Sequence, residues 1–210
     1  MSKKKPWYGP VPAIVGLLLV VSTLSGCGGG VHATTWTGLV VHEGVVYAAD
    51  LEQVRALDAE SGAVLWLFPA EPDMREYGPF YTVTLLEETL FVTSYERTGS
   101  GFFAQSKGVL RALNSQTGQQ LWKATVGGGE FVAAGALTDS TFVIGNSDGM
   151  VYTFRKEDGA PVWERPFAAA GRVWATPLVI SDTVYIASLD HSLYALDLAT
   201  GQERLSLIHI

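Results

Sequence analysis

Cys27 is the only cysteine in the 210 residues. It directly follows an apolar run, a place where a thiol can be acylated on sulfur and become a membrane anchor. A second group could hold a ligand by stacking. Trp36, Tyr81 and Trp174 recur ten residues ahead of successive β-branched runs, with Val132 in the same place in one unit and Gly78, Gly129 and Gly171 three positions earlier. Each stands where the innermost strand of a repeat would begin, so the column is expected to line a central channel, as a ligand platform or as packing. Phe102 and Phe103, in SYERTGSGFFAQSKG, would form the aromatic tip of a long connection that contacts a partner protein or folds onto its own sheet. Trp66, Trp122 and Trp163 each follow a glycine by four residues. On an outermost strand, rings of that size suit packing between neighbouring sheets better than stacking on a flat cofactor.

Other motifs point to turns. Gly127-Gly128-Gly129 lacks the lysine and helix of a phosphate loop. Asn146-Ser147-Asp148-Gly149 has no downstream bidentate glutamate and reads as a hairpin tip. His32, His42 and His191 stand singly, without metal-ligand spacing. With no nucleophile elbow and no Ser/His/Asp pattern, these residues suggest no catalytic group and no metal.

The elements that position these groups begin with residues 1–26. Lys3, Lys4 and Lys5 precede the apolar run AIVGLLLVVSTL, too short for a comfortable membrane span, and the whole reads as an export signal. Leu24-Ser25-Gly26-Cys27 resembles a bacterial lipobox, with residues 27–35 as the lipidated cysteine and a Gly28–Gly30 tether. No cysteine then remains to pair in an oxidising compartment, so stability must come from packing. Without the three leader lysines, eleven Lys and Arg face twenty-one Asp and Glu, a net charge of about −10. That balance excludes nucleic acid as a partner and disfavours direct adhesion to anionic lipid, leaving membrane association to the acyl anchor.

Residues 36–204 repeat four times. Each unit gives two β-branched runs around a polar turn, a third run such as VRALD or LYALD, a glycine turn, and a fourth run with the tryptophan. Gly118, Gly159 and Gly201 recur at 41 and 42 residues, and Tyr95–Gly108 lengthens the second unit. The expected fold is all-β: a β-propeller of four-stranded antiparallel blades, with about four of seven or eight present.

ALDAESGAVLW and ALNSQTGQQLW resemble the PQQ-type (pyrroloquinoline quinone) propeller repeat, the tryptophan-docking motif. The second departs at Asn114, the third at Thr153 and Arg155, and the fourth at Leu205. Residues 205–210, LSLIHI, can be encoded by a stretch resembling a sequencing-library transposon adapter, and are expected to be read-through rather than native protein, a degenerate last strand being the alternative. The resemblance implies a non-enzymatic, lipid-anchored scaffold of the BamB kind. Its partners would be envelope proteins, including the outer-membrane assembly machinery, with no cofactor. It would sit on the outer membrane facing the periplasm in a two-membrane cell, or otherwise on the outer face of the cytoplasmic membrane. Two alternatives stay open. In a quinoprotein dehydrogenase the channel would hold PQQ and calcium, although the adjacent cysteine pair of those enzymes is missing here. A surface binder of carbohydrate or peptide would use the aromatic column.

Overall fold

The computed structural model describes residues 38–74, 76–99 and 105–208. Sixteen strands form four antiparallel sheets whose neighbours follow chain order. The first contains β1 (Leu39–His42), β2 (Val45–Ala49), β3 (Val54–Asp58) and β4 (Val64–Phe68). The second contains β5 (Phe80–Leu86), β6 (Thr89–Thr98), β7 (Gln105–Asn114) and β8 (Gln120–Thr125). The third contains β9 (Ala136–Leu137), β10 (Thr141–Gly145), β11 (Met150–Arg155) and β12 (Phe167–Ala168). The fourth contains β13 (Leu178–Ile180), β14 (Thr183–Ala187), β15 (Ser192–Asp197) and β16 (Glu203–Ile208). No helix occurs among the described residues. The fold is a set of β-propeller blades.

Strand alternation explains why the sheets stack. On β6, Leu90 and Val92 enter a core with Tyr47, Ala49 and Val54 of the first sheet, while Phe91 between them enters a core with Phe142 and Ile144 of the third. On β10, Phe142 and Ile144 face the second sheet, and Val143 joins Val184, Ile186 and Leu196 of the fourth. Inner sheets therefore carry apolar residues on both faces, as β10 shows with all five residues buried. Each fully buried Leu, Ile, Val or Phe contributes about 1.5–3 kcal/mol through removal from water.

Indole rings close the three junctions. Trp66 Nε1 donates to the Ser115 carbonyl of the next sheet, Trp122 Nε1 to Lys156 and Trp163 Nε1 to Leu198, each at 2.8 Å. Every ring lies over the glycine three residues beyond its acceptor: a Cβ on Gly118, Gly159 or Gly201 would sit 2.6 Å from the ring of Trp66, Trp122 or Trp163. Only glycine leaves that space, and the positive φ of 71–73° at these positions suits it as well. Side chains build the turns. Asp58 Oδ1 accepts from the Ser61 amide and hydroxyl, and Asp197 Oδ1 from those of Thr200. Asn114 keeps the pattern, because its Oδ1 accepts from the Thr117 amide and hydroxyl at 2.9 Å. The third turn exchanges polarity: Arg155 donates from Nε and Nη2 to Asp158 at 2.9 and 2.6 Å.

Two sequence expectations change in the structure. Trp163 does not lie on a fourth strand. The outer strand of the third sheet is the two-residue β12, and Trp163 precedes it in an irregular segment between Pro161 and Pro166, which cannot donate ladder hydrogen bonds. The Thr153 carbonyl and hydroxyl capture the amides of Val162 and Trp163 instead. The second change is in Tyr95–Gly108, which is mostly strand rather than loop: β6 and β7 pair out to Thr98 opposite Gln105. Leu205 takes the place of the tryptophans, opposite Ala195 as Trp66 is opposite Ala56 and Trp122 opposite Ala112, each next to a register shift.

Candidate functional site

Antiparallel order puts the β2–β3 connection and its three counterparts at one end of the strands, and the glycine turns at the other. The first end differs from sheet to sheet. In the second sheet, β6 loses its β5 partner after Ser94, and β7 loses β8 after Val109, apart from a bridge between Lys107 and Gly128. At Arg97 and Thr98, opposite Ser106 and Gln105, the hairpin is a two-stranded ribbon standing beyond its own sheet, with open edges that can hydrogen-bond to another strand.

A buried cation roots this ribbon. The Arg111 side chain is 1% exposed, and it donates from Nη1 to Ser94 Oγ at 2.6 Å and from Nη2 to Glu96 Oε1 at 2.8 Å. Its guanidinium carbon lies 5.5 Å and 5.6 Å from the ring centres of Tyr77 and Phe80, and Lys123 Nζ meets the same Glu96 oxygen at 2.5 Å. Burial lowers the Arg111 pKa, and Glu96 opposes that shift. Corresponding third-strand positions make related contacts: Arg55 pairs with Asp50, and Tyr194 donates to Asp190 at 2.7 Å.

Beside the ribbon, Gln105, Ser106, Gly128, Gly129, Glu130, Ser147 and Asp148 line an open cleft of about 560 Å³. Ser106 Oγ donates to Glu130 Oε1 at 3.2 Å, and the Glu130 and Ser147 amides close a reciprocal pair at 2.9 and 3.0 Å. The Tyr81 ring stacks on Tyr95 at 5.9 Å with planes 24° apart. Burial first, and then the Glu130 carboxylate, raise both phenol pKa values; burial and Asp148 raise that of Tyr152. The cleft is acidic and polar, with Glu130 and Asp148 in its lining.

The predicted channel column divides. Val132 and Trp174 share an apolar cavity of about 320 Å³ with Thr82, Ala133, Ala134 and Thr176. Trp174 is 47% exposed there, with the Arg172 guanidinium 5.4 Å from its ring centre. The Tyr81 ring stacks on Tyr95 instead, because neighbouring residues of a strand point to opposite faces. Val132 and Trp174 precede their innermost strands by four residues rather than opening them. Trp36, Phe102, Phe103, Cys27 and the leader lie outside the described residues. Sequence reasoning singles out none of Arg111, Glu96 and Glu130, and Asp148 enters it only as part of a hairpin tip. Arg111 alone has a repeat signal, as a member of the third-strand column Arg55, Arg111, Tyr152, Tyr194. Among the described residues, no three His, Cys, Asp or Glu are grouped to hold a metal ion.

A family model described as outer membrane protein assembly factor BamB matches residues 28–207. The chain belongs to this family. BamB of Shewanella oneidensis is 28% identical over 163 residues, covering 70% of this chain and 36% of that protein. BamB of Moraxella catarrhalis superposes with a TM-score of 0.57 at 21% identity, over 81% of this chain and 48% of that one. A quinohemoprotein alcohol dehydrogenase of Comamonas testosteroni superposes with a TM-score of 0.64 at 12% identity, over 84% of this chain and 36% of the enzyme, a likeness of fold alone. The chain spans 26–40% of the length of the curated BamB proteins it matches.

Proposed function

We propose that this BamB-family chain is a non-enzymatic, lipid-anchored scaffold of the cell envelope that presents extended segments of partner proteins during outer-membrane β-barrel assembly. The observation carrying this reading is the β6–β7 ribbon, whose open edges stand beside an acidic, polar cleft. A strand laid along that edge satisfies its main-chain groups, while the cleft and the Tyr81–Tyr95 stack sort its side chains. The net negative charge favours segments carrying Lys or Arg and disfavours nucleic acid. Residues 1–26 serve as the export signal, Cys27 carries the acyl chains, and residues 27–35 tether blades that begin near residue 36. Phe102 and Phe103, outside the described residues, are proposed as further contacts with the partner protein.

The test places a photo-crosslinking residue at Arg97 or Gln105 in cells. Crosslinks to outer-membrane assembly proteins or to nascent β-barrel chains are expected there, and none at His42, at the opposite end of the strands. Equal yields at the three positions would remove the proposal. Cys27→Ala should release the protein from the membrane fraction; retention there would contradict the anchor.

A further inference from the structure

Charge is divided unevenly between the two ends of the strands. At the glycine-turn end, every turn between a first and a second strand carries an exposed carboxylate: Glu43, Glu87 with Glu88, Asp139 and Asp182. Backbone bonds such as Ala59 to Gly44 and Leu198 to Asp182, at 2.8 and 2.9 Å, lay these turns against the glycine turns, which add Glu60, Glu157 and Asp158. The cations of this end are already engaged. Arg155 pairs with Asp158, Arg204 pairs with Asp182 and Asp197, and Lys156 shares a cleft with Glu87 and Glu157. The ribbon end is balanced differently. Asp50 is matched by Arg55, and Glu96 by Arg111 and Lys123, while Arg97, Lys107 and Arg172 form no ion pair among the described residues. Glu130, Asp148 and Asp190 keep this end acidic too, but carboxylates outnumber cations far more at the glycine turns.

The chain enters the first sheet at the ribbon end. The Gly38 carbonyl accepts from the Ala49 amide at 3.1 Å, the Gly38 amide donates to the Tyr81 carbonyl at 3.0 Å, and β1 runs from there toward the glycine turns. Gly38 lies eleven residues after Cys27, a reach of at most about 40 Å however extended. The glycine turns lie a strand length further on: β7 alone runs for about 30 Å from Gln105 to Asn114. We infer that the anchored blades hold the ribbon end toward the lipid surface and the glycine-turn end away from it. This orientation rests on Cys27 as the lipid anchor. The tether keeps the ribbon end within reach of the bilayer, and an anionic leaflet repels the carboxylate-rich end more strongly than the other. Because that repulsion fades within a Debye length of about 8–10 Å, it acts on whichever end comes nearest and so selects between them. The ribbon edge and its cleft then face the bilayer.

Two neutral, exposed positions of the second sheet serve as reporters: Gln105 at the start of β7, and Gln116 in the glycine turn that follows it. The full chain carrying Gln105→Cys or Gln116→Cys, with Cys27 acylated and the new thiol bearing a fluorophore, is added to preformed vesicles that contain an acceptor-labelled lipid. On vesicles of phosphatidylglycerol and phosphatidylethanolamine at low salt, energy transfer from position 105 should be at least twice that from position 116. High salt should reduce the ratio, as should vesicles of phosphatidylcholine. Glu43→Lys with Glu87→Lys and Glu88→Lys should reduce it on the anionic vesicles and leave it unchanged on phosphatidylcholine. Equal transfer from the two positions on anionic vesicles overturns the inference, and so does a ratio that neither salt nor the lysine changes move. Protein that fails to stay on the vesicles removes the anchor itself, and the orientation with it.

Discussion

The two ends of the strands obey different rules. At the glycine-turn end, the three junctions repeat to within a tenth of an ångström in both the indole hydrogen bond and the approach to glycine, although the sequence departs at Asn114 and Arg155. At the other end no two sheets agree: an Arg–Asp pair, a rooted ribbon, an Asn146 tip and a Tyr–Asp pair occupy corresponding places. Packing constrains the first end, since a displaced ring opens a cavity between sheets. The second end faces solvent and is free to diverge, as expected where recognition is grafted onto a repeated frame.

The sharpest break in this comparison is Trp163→Ala. The residue is 4% exposed, and its loss should cost about 3–5 kcal/mol, read as a lower urea midpoint. Trp174→Ala, at the solvent-facing end, should cost at most about 1 kcal/mol, the scale of an exposed cation–π contact. Equal losses would erase the distinction between the ends. Next in size is Glu96→Gln, which leaves the Arg111 charge buried without its carboxylate and should cost about 3 kcal/mol. Adding Arg111→Met should recover part of that loss in a double-mutant cycle, and strict additivity would count against the buried pair.

Much of the frame was legible before any coordinates. The spacing of glycine to tryptophan and the four strand runs per unit give the sheets and their order, because strand periodicity and turn chemistry are local. Leu205 stood out for the same reason, and the structure puts it in register with the tryptophans. The third unit was misread where Pro161 and Pro166 interrupt the outer strand, a local signal that the repeat pattern overrode. The site was less legible. Glu130 meets Ser106, and Arg111 meets Tyr77 and Phe80, through contacts spanning 24 to 34 residues that depend on how loops and strands distant in sequence come together. The division of Tyr81 from Trp174 turned on strand alternation at a single residue.

Smaller effects sharpen the contrast further. Tyr81, Tyr95 and Tyr152 have pKa values raised above 10, so the neutral phenols favour the folded state. The stability they contribute is complete below pH 10 and falls as pH rises through the raised values. Ultraviolet titration should show a late-ionising tyrosine class whose ionisation coincides with unfolding; a single class near pH 10 would contradict the buried stack. Smallest of all, Arg97→Ala should change the unfolding free energy by no more than about 0.5 kcal/mol, being exposed on the ribbon. A large loss of stability would mean that the ribbon belongs to the frame.

Hydrogen exchange of the tryptophan indole N–H groups tests the central claim most directly. The account predicts slow exchange at Trp66, Trp122 and Trp163, whose N–H groups are held by the next sheet, and fast exchange at the exposed Trp174. Fast exchange at all four would mean that the rings do not join the sheets.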